Sequence, residues 1–413
     1  MNQKLTKLEK SWILYDVGNS AFVLLVSTIF PIYFNYLADA AGISPVDYLA
    51  YWGYAASAVT AIVALIGPVF GTLADYKNLK KPLFTVFLAI GAAGCLALGL
   101  CRTWISFLII FIIAKTGYSA TLIFYDSMLT DVTTQERLDK VSSQGYAWGY
   151  IGSCIPFLAS LALVLGRDAI GISMAAAMML SFAVVAVWWF AVTVPLLKNY
   201  RQIHYVDRQP KAVANSFRRL GRTLKSLKGR PKVLLFLLAY FFYIDGVYTI
   251  IDMATAYGTA LGLDTTGLLL ALLVTQIVAF PSAIAFGKLS GKYASDRLIL
   301  VCIAAYTGIT LFAMFMNSQI HFWILAVCVG LFQGGVQALS RSHFAKIIPS
   351  ENSGEYFGLL DICGKGASFV GTTLVSAVSQ ATGKQNLGIG VLVIVFLIGM
   401  ALFLKSGRAV QST

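Results

Sequence analysis

Seven ionisable side chains interrupt otherwise apolar stretches of this 413-residue chain: Asp16, Lys115, Asp126, Asp245, Asp252, Asp361 and Lys365. On a lipid-facing helix each would cost about 2.5–3.5 kcal/mol, so the set would cost on the order of 20 kcal/mol. That exceeds the roughly 5–15 kcal/mol that holds a typical fold together. The seven must therefore face one another or water. Their spacing adds geometry. Lys115 and Asp126 lie about three turns apart on one helix face, ~16 Å along the axis. Asp245 and Asp252 share a face two turns apart, Asp16 and Asn19 lie one turn apart, and Asp361 and Lys365 form an i,i+4 pair that can bond directly. A lysine opposite carboxylates suits a small zwitterion, with Lys115 for its carboxylate and Asp245 or Asp252 for its amine. Either aspartate can instead carry a coupling proton, and the sequence does not divide these roles between them.

The elements that position these groups follow from composition. The chain is 58% hydrophobic and 12% charged, about half the charge that covers an ordinary soluble surface. Runs of 20 or more uncharged residues recur, and a span needs about 20 residues. Twelve spans are expected: 11–38, 49–74, 82–101, 103–130, 142–166, 169–197, 232–262, 266–288, 298–316, 321–345, 356–382 and 387–404. Residues 298–340 carry no charge, so two spans must share that run, with a turn at Asn317–His321. The fold expected is an all-α polytopic membrane protein of twelve transmembrane helices in two six-helix pseudo-repeats. Its domains are an N-terminal bundle (1–197), a cytoplasmic linker (198–231) and a C-terminal bundle (232–413).

Of the 31 Lys and Arg, 26 fall in the termini, the linker and the loops on their side, three (Arg102, Arg167, Lys384) fall opposite, and two lie within the membrane. This bias places both termini in the cytoplasm, at the plasma membrane if the source is bacterial. It also accounts for the net charge of +13 without a nucleic-acid partner. In the linker, Val213, Phe217, Leu220, Leu224 and Leu227 recur at helical spacing among Arg218, Arg219, Arg222, Lys225 and Lys228. That pattern predicts a basic amphipathic helix on the inner membrane surface.

Other chemistries find little support. The six cysteines are scattered singly through apolar stretches and read as core residues. The histidines at 204, 321 and 343 stand far apart, so no metal and no cofactor is expected. There is no phosphate-binding Gly-rich loop for direct ATP drive. A membrane-embedded lipid enzyme would have to be built from Arg341, Ser342 and His343 beside Asp361.

The two halves carry traces of duplication. Tyr15-Asp-Val-Gly-Asn-Ser20 in the first span parallels Ile244-Asp-Gly-Val-Tyr-Thr249 in the seventh, and Gly71-Thr-Leu-Ala-Asp75 parallels Gly287-Lys-Leu-Ser-Gly291. Segment 71–81 resembles the short inner-loop motif of the major facilitator superfamily, G-x-x-x-D-[RK]-x-G-[RK]-[RK]. Gly71, Asp75 and Lys80 match; Tyr76, Asn78 and Leu79 depart, although Asn tolerates the left-handed turn that Gly would supply. Within the superfamily, several stretches resemble the autophagy-related vacuolar amino-acid effluxers and their bacterial relatives. They are Trp12 to Ser20, Tyr125 to Val132, Val141 to Gly152, Leu339 to Pro349, Gly354 to Gly358 and Asp361 to Lys365.

The resemblance implies the major facilitator fold, with the first, fourth, seventh and tenth spans lining a central cavity. The intramembrane charges lie on the first, fourth, seventh and eleventh spans, with Arg341 at the inner end of the tenth. It also implies a gating role for Gly71, Asp75, Lys80 and Arg341, with Asp75 stabilising one access state. Together these readings predict a secondary transporter working by alternating access on a small-molecule substrate, an amino acid first, with H+ as coupling ion and membrane lipids as surroundings. A monomer is expected. The alternative on the same scaffold is a lipid or lysolipid flippase. Gly18, Gly246, Gly364 and Gly366 are candidate bending points.

Overall fold

The computed structural model describes residues 4–207, 212–260 and 262–409. The N-terminal half holds α1 (Lys7–Ala40), α2 (Pro45–Ala74), α3 (Lys80–Leu98), α4 (Trp104–Val132), α5 (Leu138–Leu165) and α6 (Met174–Asn199). The linker carries a short helix, α7 (Ala212–Ser226). The C-terminal half adds α8 (Pro231–Ala260), α9 (Thr265–Leu289), α10 (Ser295–Met314), α11 (Gln319–Ile347), α12 (Ser353–Thr382) and α13 (Gln385–Arg408). Among the described residues, eleven of these helices are long and apolar enough to cross a membrane. The other long helix, α12, spans 30 residues but carries a polar stripe at helical spacing: Asp361, Lys365, Thr372, Ser376 and Gln380.

Each half packs in a similar way. α1 lies on α5 and α6 as α8 lies on α12 and α13, and the halves meet where α2 crosses α12 and α5 crosses α9 and α11. The N-terminus, the linker and the C-terminus gather at one end. There Arg137 reaches the Lys4 carbonyl and the Ser406 hydroxyl donates to the Lys232 carbonyl. This end is called the linker side below.

Helix starts differ between the two ends, save that Thr6 caps α1 on the linker side and α13 starts without a side-chain cap on the other. Away from the linker side, Ser44, Thr103, Ser173, Asp264 and Ser318 cap α2, α4, α6, α9 and α11 with their own side chains. On the linker side, α3, α5, α10 and α12 have no such cap. The first amides of α12 are satisfied instead by Asp75 from the opposite half.

Several expectations need adjustment. The sixth span starts at Met174, later than 169, because Gly171 adopts φ 70° and Ser173 caps the helix that follows. The third span ends at Leu98, short of 101. The expected end of the seventh span includes residue 261, which lies outside the described residues. In the linker, the expected apolar face is split. Leu227 is buried against the protein, whereas Phe217 and Leu224 are exposed; the Val213 side chain lies outside the described residues. Arg219, expected on the solvated face, is turned inward. Gly18 and Gly246 are packing points, since a Cβ at either would meet Val192 at 2.7 Å and Phe396 at 2.5 Å. The cysteines are free and four of the six are buried.

Candidate functional site

A continuous polar seal joins the two halves on the linker side. Asp75, fully buried at the end of α2, accepts hydrogen bonds from the Gly354 amide at 2.7 Å and the Glu355 amide at 3.1 Å. A carboxylate at a helix N-terminus meets both unpaired amides and the positive end of the helix dipole. The position demands glycine on both helices, because a Cβ on Gly71 would collide with the Gly354 carbonyl. Arg219, reaching up from α7, pairs with Asp75 and with Glu355, each at 2.9 Å. Asn78 takes the left-handed turn at φ 61°, which delivers Lys80 back into the protein. There its ammonium contacts Asp131 at 3.3 Å, the Ser353 hydroxyl at 3.0 Å and the Ser127 carbonyl.

Asp131 also anchors the start of the linker. It accepts from the Tyr200 hydroxyl at 2.6 Å and the His204 amide at 2.8 Å, and lies 3.0 Å from His204 Nδ1. The hydrogen bond to Asp131 raises the His204 imidazole above its ordinary value of 6.5. Stability from this pair is therefore fully present below pH 6.5 and is lost as pH rises through the raised value. The thermal midpoint of the detergent-solubilised protein should fall over that range, and His204→Gln should flatten the slope. An unchanged slope in the variant would show that His204 is not its source.

Deeper in, Arg341 of α11 reaches across into the other half. Its guanidinium bonds Asp126 at 3.0 Å, Asp16 at 3.2 Å, and the hydroxyl and carbonyl of Ser142 at 2.9 and 3.0 Å. It also stacks near the Tyr146, Trp12 and Tyr125 rings at 4.3, 4.6 and 5.4 Å. Asp16 and Asp126, one on α1 and one on α4, thus share one cation, and Asn19 donates to Asp16 at 3.4 Å. Gly145 leaves the room for this: a Cβ there would run into the Asp16 carboxylate. A second crossing pairs Asp139 with Lys346 at 2.5 Å, with the Ser342 and Ser295 hydroxyls at 2.6 Å each.

Beyond the clamp the charges continue as a ladder. Asp361 and Lys365 form the expected i,i+4 ion pair, and Lys365 also donates to the Ser119 carbonyl of α4 at 3.3 Å. One turn further along α4, the Lys115 ammonium lies 5.1 Å from the Tyr118 ring centroid. From Asp126 to Lys115 the ladder climbs about 16 Å at 1.5 Å per residue. Asp252 is exposed, and on α12 the residues Thr372, Thr373, Ser376, Ala377 and Gln380 line a shallow open hollow of about 360 Å³.

Asp245 sits apart from this ladder. It is 1% exposed, accepting from the Gly371 amide of α12 at 2.9 Å and the Thr249 hydroxyl at 3.3 Å. Among the described residues no lysine or arginine forms an ion pair with it, and these two hydrogen bonds are its contacts. Of the two carboxylates expected opposite Lys115, Asp245 is covered by α12 whereas Asp252 is exposed.

The three residues considered for lipid chemistry point in different directions. Arg341 is spent on the clamp, Ser342 donates to Asp139, and His343 stacks against Phe236 and Phe403. Among the described residues no cluster of His, Cys, Asp or Glu could hold a metal. Sequence patterns did not single out Asp139, Asp131 and Glu355, which lie near helix ends, nor Arg219 among its basic neighbours. Nor did they single out the Glu9–Arg137 pair at 2.6 Å, although Thr6-x-x-Glu9 is a capping-box pattern that marks Glu9 as structured.

The profile of the family described as "Vacuole effluxer Atg22 like" matches residues 6–135 and 130–408. The uncharacterized MFS-type transporter YxiO of Bacillus subtilis (strain 168) is 42% identical over 407 residues, covering 97% of this chain and 95% of that protein. Autophagy-related protein 22 of Coccidioides immitis (strain RS) is 24% identical over 295 residues, covering 65% of this chain and 48% of the relative. The chain thus spans about half the length of such fungal relatives. Among solved structures, the major facilitator transporter FucP in its outward conformation aligns with TM-score 0.70 at 15% identity, over 97% of both chains. A bacterial homologue of the iron transporter ferroportin in its outward-facing state aligns with TM-score 0.67 at 17% identity, over 98% of this chain and 99% of the other. At such identities the likeness shows the fold, which is that of the major facilitator superfamily.

Proposed function

Because this chain belongs to the Atg22-like effluxer family of MFS-type transporters, we propose that it moves a small zwitterion, an amino acid first, by alternating access. The observation that carries the reading is the ladder of part-buried charges that continues beyond the clamp, with the linker side closed by ion pairs that cross between the halves. Two similar structures were solved in outward states, and the seal here fits the same state with the linker side in the cytoplasm. Lys115 and Asp252 form the cargo site, holding a carboxylate and an amine. Asp361 Oδ2, on the ladder, is buried without a hydrogen-bond partner among the described residues, which suits a polar cargo over an acyl chain. Asp245 is the proton carrier, since a buried carboxyl with no cation beside it is relieved by holding a proton.

Flux of labelled amino acids into proteoliposomes, with and without a pH gradient, tests this. Lys115→Ala and Asp252→Asn should each lower flux about 10–100-fold, the worth of one charge-assisted hydrogen bond. Asp245→Asn should leave exchange intact and abolish its response to the gradient. Full flux in Lys115→Ala would remove the lysine from the pathway, and wild-type flux indifferent to the gradient would make the protein a facilitator.

A further inference from the structure

The linker helix α7 divides into three edges. Ser216, Thr223 and Leu227 are buried, and Arg219 between them is 14% exposed at its side chain, so this edge docks on the protein. Phe217 and Leu224 are 58% and 48% exposed, stacked two turns apart along the next edge. Arg218, Arg222 and Lys225, all exposed, run along the third. A bare apolar edge beside a basic one is the pattern of a helix seated in a bilayer interface, and each basic residue near an anionic surface strengthens attachment roughly fivefold. Charge complementarity therefore selects an anionic leaflet as the occupant.

The position of α7 is also transmitted to the seal. Its Arg219 bridges Asp75 of one half and Glu355 of the other. Upstream, the linker is stitched to the same loop: the Val206 amide donates to the Asp75 carbonyl, the Lys77 amide donates to the Val206 carbonyl, and the Gln202 side chain donates to the Ala74 carbonyl. A helix held down on the membrane would keep Arg219 in its bridge.

We propose that α7 is a membrane-held latch: an anionic leaflet grips its Phe217–Leu224 edge and basic flank, and Arg219 thereby keeps the linker-side seal shut. This rests on alternating access, and its test reads conformation, independent of cargo. The full chain, with native cysteines replaced, carries spin labels at Glu136→Cys and Lys292→Cys, one on each half at the linker side. It is reconstituted in vesicles of phosphatidylcholine alone or mixed with phosphatidylglycerol. The short linker-side distance should dominate in phosphatidylglycerol, and the long-distance population should rise on the order of tenfold in phosphatidylcholine alone. Arg218→Gln, Arg222→Gln and Lys225→Gln together should give the long distance in both vesicles, as should Arg219→Gln alone. Distances that ignore lipid charge, a triple variant that responds as the native chain does, or an Arg219→Gln chain that stays closed would each overturn the latch. A long distance that never appears, even in Arg341→Gln, would overturn alternating access itself.

Discussion

Arg341→Gln should open the linker side and strip most of the transport activity. The substitution leaves the carboxylates of Asp16 and Asp126 facing each other without the cation both now share. Removing one partner of a buried pair costs about 3–5 kcal/mol, because the remaining charge stays desolvated. It also removes the stacking with Tyr146 and Trp12, which contributes about 0.5–2 kcal/mol for each close contact. The loss falls on the linker-closed state, since the clamp crosses between halves. An equilibrium moved by 3 kcal/mol shifts more than about 100-fold. Adding Asp16→Asn and Asp126→Asn should restore much of the thermal stability, because the uncompensated charge is gone. If the triple variant is no more stable than Arg341→Gln, unpaired charge is not what the clamp prevents.

Gly354→Ala should act on the same equilibrium without touching a charge. A Cβ at Gly354 would lie 2.8 Å from the Asp75 carboxylate and collide with the Gly71 carbonyl. Backbone cannot yield as a side chain can, so the methyl forces α2 and α12 apart. Overpacking of this kind costs about 1–3 kcal/mol, here felt where the helices cross. The same step would pull the Gly354 and Glu355 amides from Asp75, leaving the start of α12 uncapped. Spin-label distances across the linker side should lengthen, and flux should fall about 10–100-fold. Gly308→Ala provides the control, since nothing lies within 4 Å of the added methyl and alanine favours a helix. Equal effects from both substitutions would mean the crossing has no special closeness.

Much of this arrangement was legible in the sequence for a physical reason. Lipid tolerates no unpaired charge, so each aspartate or lysine in an apolar run had to turn inward, and Asp16, Lys115, Asp126, Asp361 and Lys365 all do. Span count followed from the thickness of hydrocarbon, and the turn at Asn317–His321 appears as the break between Met314 and Gln319. Less legible were the charges near helix ends. Asp139, Asp131 and Glu355 lie in the end turns of their helices, and sequence alone does not reveal which helix ends meet when two halves close. Their partners lie 51 to 207 residues away. Arg219 was obscured by its own helix, where five basic residues looked equivalent until docking singled one out. Asp245 shows the opposite difficulty: intramembrane position marked it, yet helical facing did not reveal that α12 covers it.

The most direct test of the account is whether the lysine site is reached from one side at a time. Lys115→Cys, in a chain otherwise free of cysteine, is exposed to a membrane-impermeant thiol reagent applied to either face of oriented vesicles. With the seal intact, modification should come from the face opposite the linker, and adding Arg341→Gln should make the same thiol reactive from the linker face. Equal modification from both faces before that change, or from neither after it, would contradict a central site gated by the crossing charges.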